Sequence, residues 1–355
     1  MKRKHSSKDL IDFIINNVEK NPRTITRIVT DEFGISRQAA ARHLRNLVDE
    51  GVLVSEGRTR DKKYSLKRII ENTMVFNLDE DLEEDRIWRE NIKPLLTKVK
   101  EIPSNVLTIC NYGFTEMFNN VLDHSEAKTV VVVVNCTQLN IELKICDNGI
   151  GIFNKIKKEL SLVDYREALL ELSKGKLTTD PENHSGEGIF FTSRMFDHFS
   201  MLSDNLYFDH DFDGDDWLIE NKIKETKGTL VTLLINSESA RNIQDVFDKY
   251  SNEDYDFSKT HVPVLLSSYI EDDLVSRSQA KRLLARFEKF KEVFLDFKGI
   301  NYIGQAFADE IFRVFKKNHP EVEIIWINTN EEVEHMINRA LSKKDDKQIK
   351  LKFED

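Results

Sequence analysis

Apolar positions along the chain change period more than once, and each change marks a different kind of element. Leu10, Phe13, Ile14 and Val18 recur at helical spacing behind Ser7, a polar cap. Ile25, Ile28, Val29 and Phe33 make a second short stripe behind Thr24, and Gly34 breaks it. Ser36 opens a third helix with the stripe Ala40, Leu44, Leu47 and Val48, which Gly51 closes. The runs Val52–Val54 and Tyr64–Leu66 flank a charged turn and read as a short hairpin.

The acidic run Asp79–Asp85 follows, as a linker or the polar start of a helix, before the helical face Ile87, Trp88, Ile92, Leu95, Leu96, Val99, which Pro103 closes. Ser104–Asp123 reads as a helix. Thr129–Asn135 and Leu139–Cys146 are β-branched strands. Asn154–Ser173 is helical, Lys174–Ser185 is polar and loop-like, and Ile189–Phe199 is helical again. Three strand-like pieces fill Phe199–Ile235, and a polar bridge, Asn236–Lys259, ends this part. Helices interleaved with mostly antiparallel strands give an α+β layer. From Val262 onward strand and helix alternate as βαβαβα, a small α/β unit. The resulting division is 1–68, a linker and helix at 69–100, a body at 101–238, and a last unit at 260–342, in a multidomain α+β and α/β chain.

Charge sharpens the division. Residues 1–68 carry 16 Lys and Arg against nine Asp and Glu, +7, whereas the rest is −17, giving −10 in all. A basic head on an acidic body suits a nucleic-acid-binding module joined to other machinery. The longest clean apolar run, Val130–Val134, is far below the roughly 20 residues of a membrane span. The basic start Met1–His5 has no apolar signal core after it. Cys110, Cys136 and Cys146 form no CxxC pair, which excludes a cysteine zinc site and a disulfide framework. A cytoplasmic protein with no membrane partner is expected.

Three short segments carry chemistry. In Glu116-Met-Phe-Asn119-Asn120-Val-Leu-Asp123-His124, residues 116, 120 and 124 share one helix face. Asp147-Asn-Gly149-Ile-Gly151-Ile152 directly follows a strand. Ser185-Gly186-Glu187-Gly188-Ile189 directly precedes a helix, where glycines and free N–H groups admit phosphate. In this order, with Gly228-Thr229 on a later strand, they resemble the N, G1 and G2 boxes of the GHKL ATPases. Those have the Bergerat α/β sandwich fold of gyrase, histidine kinases and anti-sigma kinases. No P-loop GxxxxGK[ST] is present.

The resemblance implies ATP and Mg²⁺ as cofactors, and it implies roles. Asn120, beside Asn119, would hold Mg²⁺, and Glu116 would be the general base. Asp147 would accept from the adenine amino group with Thr229 nearby. Gly149, Gly151 and Ile152 would shape the base pocket. Gly186, Glu187, Gly188 and Ile189 would close on the triphosphate, with the Glu187 side chain itself in solvent. His124 matches the histidine of the anti-sigma subgroup, and either meets phosphate or serves as a helix cap or core residue. Cys146 reads as a packed strand residue.

In the head, Arg37, Gln38, Arg42 and Arg45 lie off the apolar stripe of the third helix, and Arg58, Arg60, Lys62 and Lys63 sit on the turn. Three helices and a hairpin resemble a winged helix-turn-helix, which implies double-stranded DNA as a partner. Arg reads guanine and Gln reads adenine bidentately in the major groove. The alternative is a protein-docking module with a solvated basic face.

The runs Ser276-Arg-Ser-Gln-Ala-Lys-Arg-Leu-Leu, Leu295-Asp-Phe-Lys-Gly-Ile and Gly304-Gln-Ala-Phe-Ala-Asp-Glu-Ile-Phe resemble a STAS-like domain of unknown function. True STAS antagonists carry a phosphorylated serine before the second helix. Here that turn is Ile303-Gly304-Gln305-Ala306, which has no hydroxyl. Arg277, Gln279, Asp296 and Gln305 are either contacts for a ligand or protein partner, or caps and surface groups.

Three functions follow. The first is a homodimeric, ATP-gated, DNA-binding transcriptional regulator, with or without slow hydrolysis. The second is an anti-sigma-type serine kinase acting on a partner in trans. The third is a scaffold in which ATP is structural.

Overall fold

A computed structural model of the chain describes residues 7–58, 61–79, 82–99, 101–177, 186–212, 216–220, 226–252, 256–270 and 273–342. Among the described residues, helices mix with three sheets of two, three and seven strands.

The head consists of α1 (Ser7–Asn17), α2 (Ile25–Phe33), α3 (Arg37–Asp49) and the antiparallel pair β1 (Leu53–Glu56) and β2 (Lys63–Leu66). The stripes Leu10/Ile14/Val18, Ile25/Val29 and Ala40/Leu44/Leu47 meet Leu53, Tyr64 and Leu66 in one core of their own. Gly34, at φ 61°, takes the left-handed turn between α2 and α3, and Ser36 Oγ caps α3 by accepting the Ala39 N–H at 3.2 Å. Thr24 stands before α2 in near-helical geometry and its side chain forms no cap bond. A carboxylate oxygen of Glu19 accepts the Leu66 N–H at 2.6 Å, tying the hairpin to the chain after α1.

Residues 70–77 are not linker. They form β3 (Ile70–Asn77), which pairs along its whole length with β4 (Thr129–Cys136). The stretch at 84–99 is one continuous helical rod. It comprises α4 (Glu84–Ile87), a π turn at Trp88–Ile92, and α5 (Lys93–Val99). The wide turn keeps Ile87, Trp88, Ile92 and Leu96 all buried.

Then follow α6 (Ser104–His124), β5 (Asn140–Asp147), α7 (Ile152–Glu159), α8 (Tyr165–Lys174) and α9 (Gly188–Met195). The expected single helix over 154–173 is therefore two. The helix expected to reach Phe199 stops at Met195, because Phe199 belongs to a strand. Four strands rather than three fill the next stretch: β6 (His198–Asp204), β7 (Leu206–Asp211), β8 (Asp216–Glu220) and β9 (Thr226–Asn236). The large sheet is antiparallel throughout, in the order β3-β4-β5-β9-β6-β7-β8. Val130, Val132, Val134, Ile141, Leu143 and Ile145 bury toward the helices, while their neighbours in sequence face the other side. This is the alternation of a sheet covered on one face.

The bridge read as polar contains α10 (Ile243–Tyr250). Its burial rests on only Val246 and Tyr250, too thin a stripe to stand out in sequence. Beyond it come β10 (Lys259–Pro263), the short α11 (Leu265–Ser268), α12 (Arg277–Leu284), β11 (Glu292–Asp296) and α13 (Gln305–Asp309). A π turn leads from α13 into α14 (Lys316–Asn318), followed by β12 (Glu323–Ile327) and α15 (Glu331–Ser342). The strands β10-β11-β12 are parallel, joined by helical crossovers.

This last unit shares one hydrophobic core with the large sheet. The Phe257 ring lies 4.6 Å from Phe190 and 4.9 Å from Phe191 on α9, and 5.5 Å from Phe290 on the other side. Beside this seam Lys174 is wholly buried. Its ammonium donates to Glu171 Oε1 at 2.6 Å and to the carbonyls of Arg282 and Ala285 at 3.2 and 3.0 Å. Arg286 completes the join, donating to Glu171 Oε2 at 2.9 Å and to the Gly175 carbonyl at 2.7 Å.

Candidate functional site

A cavity of about 320 Å³, in the size range of ligand sites, opens between α6, α7, the start of α9 and the sheet. Glu116, Asn119, Asn120 and His124 line it from α6. Asp147, Gly151 and Ile152 come from the end of β5 and the turn after it. Gly186, Glu187, Gly188 and Ile189 come from the entry to α9, and Thr229 from β9. Segments more than 100 residues apart thus share one space. Gly149 is the exception. It lies behind the lining, where a Cβ would sit 2.0 Å from the Ser125 carbonyl oxygen.

Asp147 anchors the floor. It is 5% exposed, and its two carboxylate oxygens accept backbone N–H groups, Gly149 at 2.8 Å and Thr229 at 3.2 Å. Burial raises its pKa above the ordinary range, and these backbone donors oppose that shift. Each carboxylate oxygen has a second lone pair, so acceptor capacity remains for a ligand. Thr229 Oγ1 accepts the Ile152 N–H at 3.1 Å and so joins the β5 turn to β9. Gly228 and Gly151 hold left-handed φ values of 83° and 82°. A Cβ on Gly228 would fall 2.1 Å from the Asp147 carbonyl oxygen, so the turn closes only around glycine.

The opposite wall is acidic. Glu116 and Asp123 stand on α6 and Glu187 on the α9 entry, while the lining ammonium is Lys155, which donates to the His124 carbonyl at 3.1 Å. With Asp147 that makes four carboxylates to one ammonium among the described lining residues. An anionic ligand therefore needs a companion cation, and the carboxylate and carboxamide oxygens of Glu116, Asn119 and Asn120 are the donors a hard divalent ion takes. Glu187 was expected in solvent. It is instead half-buried, and its pKa is raised, first by burial, with Lys176 pulling down and Asp256 pushing up.

Sequence reading passed over Lys155, the Ser125 backbone and Asp204. Asp204 accepts from Asn154 Nδ2 at 2.5 Å and would crowd a Cβ on Gly151 at 2.9 Å. Lys155 had a faint signal, one turn beyond Gly151 on a helical stretch. Asp204 had none, because a bulge in β6 brings it there.

The basic residues of the head form a separate surface. Arg37, Gln38, Arg42 and Arg45 are exposed along α3, and Arg58 is exposed on the hairpin turn. Lys62 lies over the Tyr64 ring at 5.0 Å, and Lys63 pairs with Glu56 at 2.7 Å. Arg60 lies outside the described residues. In the last unit, Gln279 forms a capping box with Ser276, and Arg277 reaches Asp309 at 3.7 Å, so both have structural work.

Residues 279–334 match the STAS-like domain of unknown function (DUF4325). No curated protein matches the chain. Among the described residues, no helix is long and apolar enough to cross a membrane.

Proposed function

We propose that the chain is a transcriptional regulator whose grip on double-stranded DNA is set by Mg·ATP in the cavity of the central sheet. One observation carries the reading. Four sequence segments with the order and composition of GHKL nucleotide boxes converge on one cavity of ligand size, with a buried carboxylate on its floor. In this reading the N-terminal module is a winged helix, the central layer is a Bergerat sandwich, and the STAS-like unit receives a signal or protein partner.

The roles follow from chemistry. Asp147 accepts from the exocyclic amine of adenine, since its carboxylate is held rigidly by Gly149 and Thr229. The N–H groups at the start of α9, after Gly186 and Gly188, face phosphate oxygens, where the helix end carries partial positive charge. Asn120 would hold Mg²⁺, which when bound would supply positive charge to the phosphates against the acidic wall. Glu116 orients and deprotonates the attacking water or hydroxyl. Arg37, Gln38, Arg42 and Arg45 on α3 read base edges, and the hairpin cations contact phosphates. The acting species is a homodimer, so nucleotide binding alters half-site geometry and thereby affinity.

The test is selection from a random duplex pool by the full chain with Mg·ATP analogue, Mg·ADP or no nucleotide. A motif enriched in a nucleotide-dependent way supports the reading. Absence of enrichment in every arm overturns it and moves the assignment to a kinase acting on a partner in trans or to a scaffold in which ATP is structural.

A further inference from the structure

A second cavity, of about 770 Å³, lies between the STAS-like unit and the large sheet and shares no lining residue with the first. All three parallel strands end at it. Pro263, Asp296 and Ile327, the last residues of β10, β11 and β12, each line the space. Connections diverge beyond the carboxyl ends of parallel strands, and the crevice left there is where open α/β sheets take ligands. The facing wall comes from α10, the end of β7 and the end of α9.

Its chemistry has two parts. Arg194, Arg241, Lys249 and Lys298 contribute positive charge, against Asp245 and Asp296. Two of the four are set in place by the protein. Arg194 is 8% exposed, lies 3.6 Å from the centre of the Phe190 ring, and donates to the carbonyls of Phe190 and His261 at 3.1 and 3.3 Å. Arg241 rests 3.8 Å from the centre of the Phe212 ring and donates to the Met195 carbonyl at 2.7 Å and to Asp197 at 2.8 Å. Lys249 and Lys298 are exposed at the rim. Asp296, the one acid at the strand ends, is already satisfied by His261 at 3.3 Å, by Asn328 Nδ2 at 2.9 Å and by the Lys298 N–H at 2.9 Å. Between the charges the walls are rings and aliphatics, including Phe212 and Phe294. Even with Arg241 paired to Asp197, cations outnumber acids around apolar and aromatic walls, a combination that favours an aromatic body carrying an anionic group.

We infer that this cleft is a binding site for a small aromatic organic anion, a carboxylate, sulfonate or phosphate ester. The inference does not depend on the nucleotide reading of the other cavity.

The probe is naphthalene-1-sulfonate, titrated into the full chain and followed by its fluorescence. Saturable one-to-one binding is expected, at least ten-fold tighter than that of neutral 2-naphthol. In Lys249→Glu/Lys298→Glu the dissociation constant should rise at least ten-fold, while Lys20→Glu, an exposed change on the head, leaves it unaltered. Both cleft lysines are exposed, so the double variant should melt like the parent. The comparison with 2-naphthol stands on wild-type protein alone if it does not. The inference is overturned by absence of saturation, by equal affinity for the neutral probe, or by equal affinity in the double variant. The last result would also place the probe elsewhere on the molecule.

Discussion

A methyl group on Gly188 would lie 2.0 Å from Oε2 of Glu116. The first turn of α9 and the acid of α6 are thus in register, and the position admits no side chain unless the carboxylate swings away. The same contact sets Glu116 beside the helix N-terminus that receives phosphate in the proposed mechanism. Gly188→Ala should therefore lower ATP turnover by roughly ten-fold or more through displacement of the base. Glu116→Ala should remove turnover, about 10²–10⁴-fold, and spare nucleotide binding. Steady-state hydrolysis beside equilibrium binding of a fluorescent ATP analogue separates the two effects. Equal turnover in Glu116→Ala would refute the general-base role.

Asp147 yields a prediction about pH. Burial raises its folded pKa above the unfolded value. Such a group binds a proton more tightly in the native state. Its favourable contribution is complete below the unfolded pKa and is lost as pH rises through the folded pKa. Asp147→Asn removes that loss, so its stability relative to wild type should improve as pH rises above the ordinary carboxylate pKa, as read by thermal melts across a pH series. Affinity moves the other way. The asparagine keeps the shape but replaces one acceptor oxygen by an amide NH₂ donor, and ATP binding should weaken by at least ten-fold, the cost of about 1.5–3 kcal/mol for a charged hydrogen bond. A variant that binds ATP as wild type does would remove Asp147 from base recognition.

Parts of the molecule could be read from the sequence because their signals are local. The glycine-bearing turns, the apolar stripes of the head and the β-branched runs of β4 and β5 each sit within a few residues, and the structure forms those elements where their patterns lie. What escaped was set by partners far along the chain. In β3 only Ile70 is fully buried and Val75 is 64% exposed, so residues 70–77 lack the contrast that announces a strand. The run from Met195 to Phe199 spaces its apolar residues at i, i+1 and i+4, as a helix does, and sheet pairing of Phe199 with Leu233 overrides that pattern. Lys174 reads as the start of a polar loop, yet it ends α8 and is buried with Glu171 against the STAS-like unit. Lys155 lines the cavity, and the Glu187 side chain is half-buried there rather than solvated, through tertiary packing.

On the head, the ion pair between Lys63 and Glu56 divides the basic residues into two classes. Arg42→Ala and Arg45→Ala, on the exposed face of α3, should each cost roughly 1–3 kcal/mol of specific DNA affinity and relax base preference at one position. Arg58→Ala should weaken binding to all sequences alike and reduce the salt slope by about one. Lys63→Ala should change both quantities less, since its charge is already shared with Glu56. Fluorescence anisotropy on specific and scrambled duplexes, across a salt series, reads all four. Equal losses on both duplexes for every variant would mean that α3 does not read bases.

The buried trio of Lys174, Glu171 and Arg286 ties α8 to the STAS-like unit, and α8 leads into the segment that ends at Gly186 beside the cavity. Lys174 has no solvent and three acceptors, so its loss leaves Glu171 compensated by Arg286 alone and takes a charged donor from the Arg282 and Ala285 carbonyls. Breaking a buried pair from one side costs about 3–5 kcal/mol. At roughly 2–4 °C per kcal/mol for a unit of this size, Lys174→Met should lower the melting temperature by on the order of 10 °C. Replacing both partners by apolar groups of similar volume restores much of that, because the cost lies mainly in the orphaned charge. Lys174→Met/Glu171→Met should therefore melt above Lys174→Met alone, although Arg286 then loses its carboxylate and keeps the backbone carbonyls of residues 171 and 175 as acceptors. A double-mutant cycle by calorimetry measures the coupling. Additive losses would show that Lys174 and Glu171 do not act as a unit beneath the seam.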